Sequence, residues 1–233
     1  MNRFERIDNL IGQQKREILH NKTVMVVGLG GVGGYAVESL ARSGIGKLII
    51  IDKDDVALSN INRQLIALSD TVGKSKAQLF KNRISLINPK ATVIACDDFL
   101  DKDNIDKFFK DKVDFVIDAI DTMTSKVFLW KYLQEKGIPF VSSLGMARRI
   151  DPTKLSITTL DKTQNDPMAR SLRNQARKCG VSLKIPVVFS SENPIETSSS
   201  SKDNLGSMIF VPAYGGLLCG YYVISQIIDS SDI

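Results

Sequence analysis

The amino-acid sequence predicts an α/β domain built on a doubly wound, mostly parallel sheet, and three observations support this prediction. Short apolar runs rich in β-branched residues alternate with amphipathic stretches between residues 23 and 145, as in repeated strand-helix-strand units. A glycine-rich turn follows the first of these runs. The length of 233 residues, with 43% hydrophobic and 24% charged residues, excludes disordered, collagen-like and coiled-coil proteins.

The elements of the first half follow in chain order. Apolar residues from Phe4 to Leu19 suggest one or two helices in an N-terminal segment, residues 1–22. Five apolar runs predict buried strands at Val24–Val27, Leu48–Ile51, Thr92–Ala95, Val113–Ile117 and Phe140–Val141. Helical spacing predicts helices at Val32–Ala41, Ala77–Ile87 and Val127–Leu133. These elements predict a nucleotide-binding part over residues 23–145.

The pattern changes after Asp151, within a second part that we assign to residues 146–233. The sequence predicts a strand at Leu155–Thr158, a basic helix at Pro167–Lys178 and a strand at Val187–Ser190. The following loop, Ser191–Ser207, contains Ser198–Ser201 and is predicted to be mobile. We expect this part to add antiparallel strands and a cap to a single domain, residues 1–233.

An uncharged stretch near the C-terminus raises the question of a membrane. Asn204–Ile228 is long enough to span a bilayer. Pro212 and several glycines favour a buried strand followed by a core or interface helix over a membrane anchor. Residues 1–20 lack the apolar region of a secretory signal, so the sequence predicts a cytoplasmic protein.

Charge and cysteine content narrow the function only slightly. The net charge of +5 agrees with an anionic partner without identifying one. Cys96, Cys179 and Cys219 lie far apart in the sequence. This spacing is typical of reduced thiols, and three cysteines cannot form a four-cysteine zinc site.

The turn after the first strand has the glycine spacing of a Rossmann-like nucleotide site. Its glycines are Gly28, Gly30, Gly31 and Gly33, and backbone N–H groups in such a turn can bind a phosphate at the start of the next helix. Asp52 ends the second strand, where a carboxylate can accept hydrogen bonds from ribose hydroxyls. A turn that serves only helix packing remains an alternative. A dehydrogenase and an ATP-using enzyme explain these residues equally well.

Charged and amide side chains after the second strand favour ATP. The residues concerned are Asp54, Asn60, Asn62, Arg63 and Lys76. A polyphosphate with magnesium requires this mixture, whereas an NAD-dependent oxidoreductase does not. Asp121 follows the fourth strand, at the edge where doubly wound sheets bind ligands, and its carboxylate is a candidate Mg²⁺ ligand. Each residue alone could be a solvated charge or a helix cap, but together they predict a site for ATP and Mg²⁺.

In these motifs the sequence resembles the ubiquitin-activating-enzyme-like adenylating superfamily, whose members activate carboxylates as acyl-adenylates. The matching residues are the Gly28–Gly34 loop, Asp52, Asn62-Arg63-Gln64, Lys76 and Asp118-Ala-Ile-Asp121. The resemblance implies that the glycine loop and Asp52 hold ATP and that Asp121 holds Mg²⁺. It also implies that Asn62, Arg63 and Lys76 face the phosphates. The segment Arg3-Phe-Glu-Arg6 implies a homodimer in which Arg3 or Arg6 enters the partner subunit's ATP site.

Motifs in the second half are similar to the tRNA threonylcarbamoyladenosine dehydratase branch of that superfamily. They are Ile150–Thr153, Lys162–Pro167 and Val188–Pro194. The resemblance implies ATP-dependent dehydration of threonylcarbamoyladenosine in tRNA, by adenylation of its carboxylate and cyclisation, with a sulfur-transfer protein as a further partner. One alternative is an adenylyltransferase that activates the C-terminus of a ubiquitin-like sulfur-carrier protein, but the paired CxxC motifs of such enzymes are absent from the sequence. A non-catalytic tRNA- or protein-binding module is another.

A tRNA substrate also requires phosphate contacts away from the reacting base. Arg170, Arg173 and Arg177 recur along one face of the predicted basic helix, and Arg148 and Arg149 lie in the same cap region. We predict that these five arginines bind tRNA. The alternative is a solvated basic surface without a partner.

Overall fold

A seven-stranded sheet forms the centre of the molecule. The computed structural model describes residues 2–196 and 205–230, and the strand order is β3-β2-β1-β4-β5-β7-β6. The strands are β1 Thr23–Val27, β2 Lys47–Ile51, β3 Thr92–Cys96, β4 Phe115–Asp118, β5 Phe140–Ser143, β6 Leu155–Thr159 and β7 Pro186–Ser190. Neighbouring strands are parallel except β6 and β7. The order reverses between β1 and β4, which opens a crevice at the carboxyl ends of the strands.

Helices cover both faces of this sheet. They are α1 Glu5–Ile11, α2 Gln13–His20, α3 Gly33–Arg42, α4 Lys76–Ile87, α5 Met123–Lys136, α6 Pro167–Lys178 and α7 Phe210–Asp229. Successive strand residues point to opposite faces, so Val24 and Val26 join one hydrophobic cluster and Met25 and Val27 the other. The first cluster contains residues of α3, α4 and α7, and the second contains residues of α5 and α6. This three-layer α/β architecture confirms the predicted fold class.

The predicted strands and helices of residues 4–190 are all present, but two details of the sheet differ. Thr92–Cys96 forms β3 with exposed and half-buried residues, so the prediction of a buried strand is wrong there because β3 lies at the sheet edge. The second part adds only one antiparallel pair. β7 extends the parallel sheet beside β5, and β6 runs antiparallel to β7.

The uncharged C-terminal stretch forms the long helix α7. Residues 205–209 form no strand, so the strand predicted ahead of the helix is absent from the described residues. By length and a mean hydropathy of 1.3, α7 could span a membrane, but 44% of that apolar window is buried inside the domain. The segment Ser198–Ser201, for which the sequence predicts mobility, lies outside the described residues.

Two glycines bring α7 against α3. A Cβ atom at Gly216 would lie 2.2 Å from the carbonyl oxygen of Val32, and one at Gly220 would lie 1.9 Å from Ser39 Oγ. Both distances are far below van der Waals contact, so only glycine allows the two helices to approach this closely. The inner face of α7 therefore packs as a core helix of the α/β domain.

Candidate functional site

An open cleft of about 550 Å³ lies at the carboxyl edge of the sheet. Residues at the ends of β1, β2, β4 and β5 border it. It is lined by nine of the residues that the sequence predicts for the nucleotide site: Gly28, Gly30, Gly31, Asp52, Asp54, Asn60, Arg63, Lys76 and Asp121. The fold therefore brings these residues together in one cleft. Four other residues predicted for the site do not line it: Gly33, Asn62, Arg3 and Arg6.

The glycine loop is shaped by close backbone packing. Gly28 has φ +89°, and a Cβ atom there would lie 2.7 Å from the carbonyl oxygen of Ala119. At Gly33 a Cβ atom would lie 1.8 Å from the carbonyl oxygen of Gly28. Gly33 is buried and does not line the cleft. Gly33 therefore has a packing role, in which it allows α3 to start directly against the loop, and the nucleotide contact predicted for it stays a prediction.

Asp52 holds the glycine loop in place. Its Oδ2 accepts a hydrogen bond from the Leu29 N–H at 2.6 Å, and its Oδ1 accepts one from the Asp54 N–H at 2.8 Å. A carboxylate oxygen can accept more than one hydrogen bond. The geometry is thus compatible with the predicted ribose contact while giving Asp52 a structural role as well.

A buried ammonium group lies on the other side of the cleft. Lys76, the first residue of α4, is only 5% exposed, and its Nζ lies 3.3 Å from Asp54 Oδ2. A buried charge requires a partner. Asp54 is itself largely exposed, so a bound phosphate could replace or share this contact.

The segment before α4 positions Arg63. Its Nη1 donates to the Ser59 carbonyl and to Asn62 Oδ1, both at 2.9 Å. Asn62 Nδ2 donates to the Ser207 carbonyl at 2.8 Å, and Asn60 Oδ1 accepts from the Ala57 N–H at 3.1 Å. Asn62 does not line the cleft. The structure thus gives Asn62 the role of orienting Arg63 and tethering the segment that precedes α7, and the phosphate contact predicted for it stays a prediction.

Asp121 is an exposed carboxylate at the edge of the cleft. It lies between β4 and α5, and Thr122 Oγ1 donates to its Oδ1 at 3.3 Å. Among the described residues, no group of three or more His, Cys, Asp or Glu side chains could hold a metal ion. A cation bound at Asp121 would therefore need further ligands from a substrate and from water.

The cleft also contains side chains that the sequence analysis did not assign. Gln64 is only 8% exposed, and its Oε1 has no hydrogen-bond partner among the described residues, although Gln64 lines the cleft. Lys53 Nζ lies 4.9 Å from the centre of the Phe99 ring, and both residues line the cleft. Gln64 belongs to the Asn62-Arg63-Gln64 motif and could have been proposed from it. Phe99 follows β3 without any local motif, so only the fold brings it to the site.

The two N-terminal arginines have different surroundings. Arg3 Nη1 donates to the carbonyls of Leu86, at 2.7 Å, and Ile87, at 3.3 Å, at the end of α4. Arg6 is exposed, and its guanidinium makes no hydrogen bond or ion pair with any residue that the structure describes. Neither arginine lines the cleft of its own chain. Arg3 thus has a local structural role, whereas the guanidinium of Arg6 has no partner among the described residues.

The prediction that Arg149 binds tRNA does not agree with its position in the structure. Its side chain is only 3% exposed, and its Nη2 lies 3.4 Å from Asp166 Oδ2. It also donates to the Glu192 carbonyl, at 3.1 Å, and to the Gly145 carbonyl. Burial lowers the pKa of the Arg149 guanidinium, and the Asp166 carboxylate opposes that shift. Arg149 therefore links the cleft wall to the start of α6 and is not available to tRNA phosphates.

The remaining arginines of that set also divide into two kinds. Arg173 is half-buried, and its Nη1 donates to the Thr163 and Leu160 carbonyls, at 3.1 and 3.4 Å, and to Thr163 Oγ1. Arg170 and Arg177 are exposed, and neither guanidinium bonds to another described residue. Arg148, with φ +60°, is half-buried. Arg170 and Arg177 are therefore the two arginines of the set whose side chains extend from α6 into solvent.

Comparison with protein families and sequences identifies relatives over nearly the whole chain. The ThiF family matches residues 4–190. The tRNA threonylcarbamoyladenosine dehydratase of Bacillus subtilis (strain 168) is 39% identical over 247 residues, which covers 100% of this chain and 97% of the relative. The protein of the same name from Escherichia coli (strain K12) is 40% identical over 197 residues, covering 82% of this chain and 74% of the relative.

Solved structures agree with these sequence matches. The crystal structure of E. coli tRNA N6-threonylcarbamoyladenosine dehydratase in complex with AMP superposes with a TM-score of 0.92 at 35% identity, covering 99% of this chain and 95% of that one. The same enzyme in complex with ATP superposes with a TM-score of 0.91 at 34% identity and with the same coverage. The similarity thus extends over both parts of the chain.

Proposed function

This chain belongs to the ThiF family, and we propose that it is an ATP-dependent tRNA threonylcarbamoyladenosine dehydratase. The proposal rests above all on the cleft, where the glycine loop, Arg63, Lys76 and Asp121 meet at one edge of the sheet. Relatives at 39% and 40% identity carry this name, and a similar solved structure has been determined with ATP and with AMP.

The reaction has two covalent steps. The carboxylate of threonylcarbamoyladenosine attacks the α-phosphorus of ATP, the bond to pyrophosphate breaks, and a mixed anhydride with AMP forms. A nucleophile of the same modified side chain then attacks the activated carbonyl, loses its proton and displaces AMP. The net change is the loss of water from the nucleoside, driven by conversion of ATP to AMP and pyrophosphate. No nucleophile from the enzyme is required, because proximity favours the ring closure.

The residues of the cleft bind and orient in this reaction. Backbone N–H groups of the glycine loop and the positive end of α3 favour the phosphates of ATP. Arg63 and Lys76 place two positive charges beside the polyphosphate, where they stabilise the charge that develops on pyrophosphate. Their positions are already fixed by the contacts with Asn62 and Asp54, so little reorganisation is needed when ATP binds.

The donor set of the cleft fits magnesium bound together with ATP. Mg²⁺ in such sites takes one or two carboxylates and completes its coordination with phosphates and water. Asp121 is an exposed carboxylate that meets this requirement, and it would hold the ion. When bound, Mg²⁺ would neutralise charge on the departing pyrophosphate.

We also propose that the enzyme acts as a cytoplasmic homodimer. The outer face of α7 exposes the apolar side chains of Phe210, Tyr214, Leu217 and Tyr221, and an exposed apolar stripe of this kind marks an interface. Tyr35, Pro152 and Thr153 extend the same surface. A second copy of the chain on this surface would cover the part of α7 that the domain leaves exposed, in place of a membrane.

The proposed function is tested by mass spectrometry of tRNA nucleosides. Bulk tRNA that carries threonylcarbamoyladenosine is incubated with the protein, ATP and Mg²⁺, and the nucleosides are released under neutral conditions. We expect a nucleoside lighter by one water, together with AMP and pyrophosphate. None of these three products should form in the sample without ATP. AMP release without a change in the nucleoside would indicate adenylation of another carboxylate, such as that of a sulfur-carrier protein.

The exposed arginines of α6 provide a test of tRNA binding. An Arg170→Glu, Arg177→Glu variant is expected to bind tRNA more weakly, because two phosphate contacts are lost. The slope of log affinity against log salt should flatten by about one unit for each lost contact. Affinity for ATP should stay unchanged because neither residue lines the cleft. Filter binding of labelled tRNA over a range of salt concentrations measures both quantities.

A matched control carries the same charge change elsewhere. Lys90 and Lys110 are exposed residues that precede β3 and β4, on the side of the sheet opposite the cleft. A Lys90→Glu, Lys110→Glu variant should keep the salt slope of the wild type, apart from a small uniform effect of net charge. An α6 variant with the wild-type slope would show that the helix is an ordinary solvated surface.

A further inference from the structure

A fully buried ion pair lies directly behind the cleft and has no role in the reaction described above. Asp118 and Lys126 both have side chains that are 0% exposed, and Lys126 Nζ lies 2.9 Å from Asp118 Oδ2. The same oxygen accepts hydrogen bonds from Trp130 Nε1 and Ser142 Oγ, each at 2.7 Å. Lys126 Nζ also donates to Ser142 Oγ at 3.0 Å. The pair is thus the centre of a closed network that joins β4, β5 and α5.

Stability alone is a weak explanation for such a pair. Removing two charges from water is costly, and replacing a buried ion pair with apolar residues of similar volume is often neutral or stabilising. The surroundings are apolar, since Val116, Val127 and Leu129 are all buried in the hydrophobic cluster on this side of the sheet. Apolar residues in place of the pair could therefore pack β4 against α5 equally well. This points to a role of the Asp118–Lys126 pair in fixing the positions of nearby residues.

The network fixes one wall of the cleft through the backbone. Asp118 Oδ1 accepts a hydrogen bond from the Ile120 N–H at 3.0 Å, which holds the turn that carries Asp121. The same turn contacts the glycine loop, because Gly28 packs against the Ala119 carbonyl. Asp118 thereby sets the position of Asp121 relative to the loop that would hold the phosphates.

The opposite wall depends on the same carboxylate. Ser142, which donates to Asp118, is followed by Ser143, Leu144 and Gly145, and these three residues line the cleft. Lys126 lies one turn into α5, the helix that begins two residues after Asp121. One buried pair therefore connects the end of β4, the end of β5 and the start of α5.

We propose that Asp118 and Lys126 are positioning residues, whose buried pair holds the Asp121 turn at the distance from the glycine loop that ATP with its metal ion requires. The proposal rests on the function proposed above and extends it to residues that never touch the substrate. It distinguishes the two aspartates of the Asp118-Ala-Ile-Asp121 motif, of which one faces the ligand and the other orients it. Ser142 and Trp130 complete the hydrogen bonds that keep Asp118 in place.

The decisive variant neutralises both charges together. In an Asp118→Asn, Lys126→Met protein the amide oxygen can still accept from Ser142 and Trp130, and no uncompensated buried charge is left. We expect affinity for ATP in the presence of Mg²⁺ to fall about 10- to 100-fold, as for groups that orient a metal ligand. Affinity for AMP without metal should stay within about twofold. Calorimetric titration of the protein with each nucleotide measures both affinities. In steady-state kinetics, the fold decrease in kcat should exceed the fold increase in KM for tRNA.

A control pair separates positioning from general stability. Glu38 Oε2 lies 2.7 Å from Arg83 Nε, and this ion pair joins α3 to α4 outside the cleft. A Glu38→Gln, Arg83→Met variant should lower the thermal midpoint and leave both nucleotide affinities and kcat unchanged. A Ser142→Ala variant, which keeps both charges, serves as a second test if the double variant fails to fold. It should weaken ATP binding with Mg²⁺ more than AMP binding.

Each result decides the proposal. Wild-type affinity for ATP with Mg²⁺ in the Asp118, Lys126 variant would overturn it, and so would an equal loss of ATP and AMP affinity, since that indicates general disorder of the cleft. If the wild-type protein binds ATP but leaves threonylcarbamoyladenosine intact, the proposed function fails. The positioning role is then judged on the binding data alone.

Discussion

An Asp121→Ala variant is expected to release pyrophosphate at least about 100-fold more slowly than the wild type, in the presence of ATP, Mg²⁺ and modified tRNA. The carboxylate is the exposed acidic group between β4 and α5, and its only hydrogen bond among the described residues comes from Thr122. Its removal should therefore change the thermal midpoint very little, because exposed side chains outside a network contribute within about 0.5 kcal/mol. A coupled phosphate assay and a thermal scan provide the two measurements.

Two comparisons make this result specific to the cleft. Asp70 is an exposed residue in the segment before α4 and does not line the cleft, so Asp70→Ala should retain the wild-type rate. Titration of Mg²⁺ should show that the Asp121 variant loses most at limiting metal. A variant with the wild-type rate at limiting Mg²⁺ would show that Asp121 is not the metal ligand.

The parts of the site that the sequence predicts are those encoded by local backbone geometry. The glycine turn could be predicted from its spacing because the backbone conformation requires glycine. Gly28 adopts φ +89° and packs against Ala119. Asp52 and Asp121 are readable because they follow parallel strands, and the carboxyl ends of parallel strands meet at one edge. The sheet, α6 and nine of the residues that line the cleft were predictable from local sequence patterns of this kind.

The roles of individual side chains depend on tertiary partners and could not be predicted in the same way. Arg170, Arg173 and Arg177 have equivalent helical spacing, but only Arg173 lies next to the Thr163 carbonyl, which belongs to the turn before α6. Arg149 is buried because Asp166 reaches it from the start of α6. Sequence spacing identifies a face of a helix, but it does not show which side chain on that face will find an internal acceptor.

Burial was mispredicted where it depends on the order of the strands. Thr92–Cys96 has the composition of a buried strand, yet β3 pairs only with β2 among the described strands and lies at the edge of the sheet. Nothing in the run itself encodes whether a further strand will pair with it. The same reasoning applies to residues 205–209, where an uncharged segment leads into α7 without forming a strand.

Mixing two inactive variants is expected to restore activity if Arg6 acts in the partner subunit's site. Arg6→Ala and Asp121→Ala proteins should each be inactive alone. In a heterodimer, the subunit that retains Asp121 receives Arg6 from its partner, so one of the two sites is complete. Random exchange makes half of the dimers mixed, and about one quarter of the wild-type activity should return. Pyrophosphate release after mixing at equal concentrations, with exchange verified by native mass spectrometry, measures the recovery.

Arg3 provides the matched control for this experiment, because it lies in the same N-terminal segment but is bound within its own chain. Its guanidinium donates to the Leu86 and Ile87 carbonyls at the end of α4. Arg3→Ala should therefore lower stability but stay active alone, so that it needs no partner variant to restore activity. Absence of recovery with Arg6→Ala, once subunit exchange is verified, would show that Arg6 acts within its own chain or has no role in the site. An Arg3→Ala protein that is inactive alone and regains activity when mixed with Asp121→Ala would have a different meaning. It would show that Arg3 gives up its contact with α4 when the dimer forms and is the arginine supplied in trans.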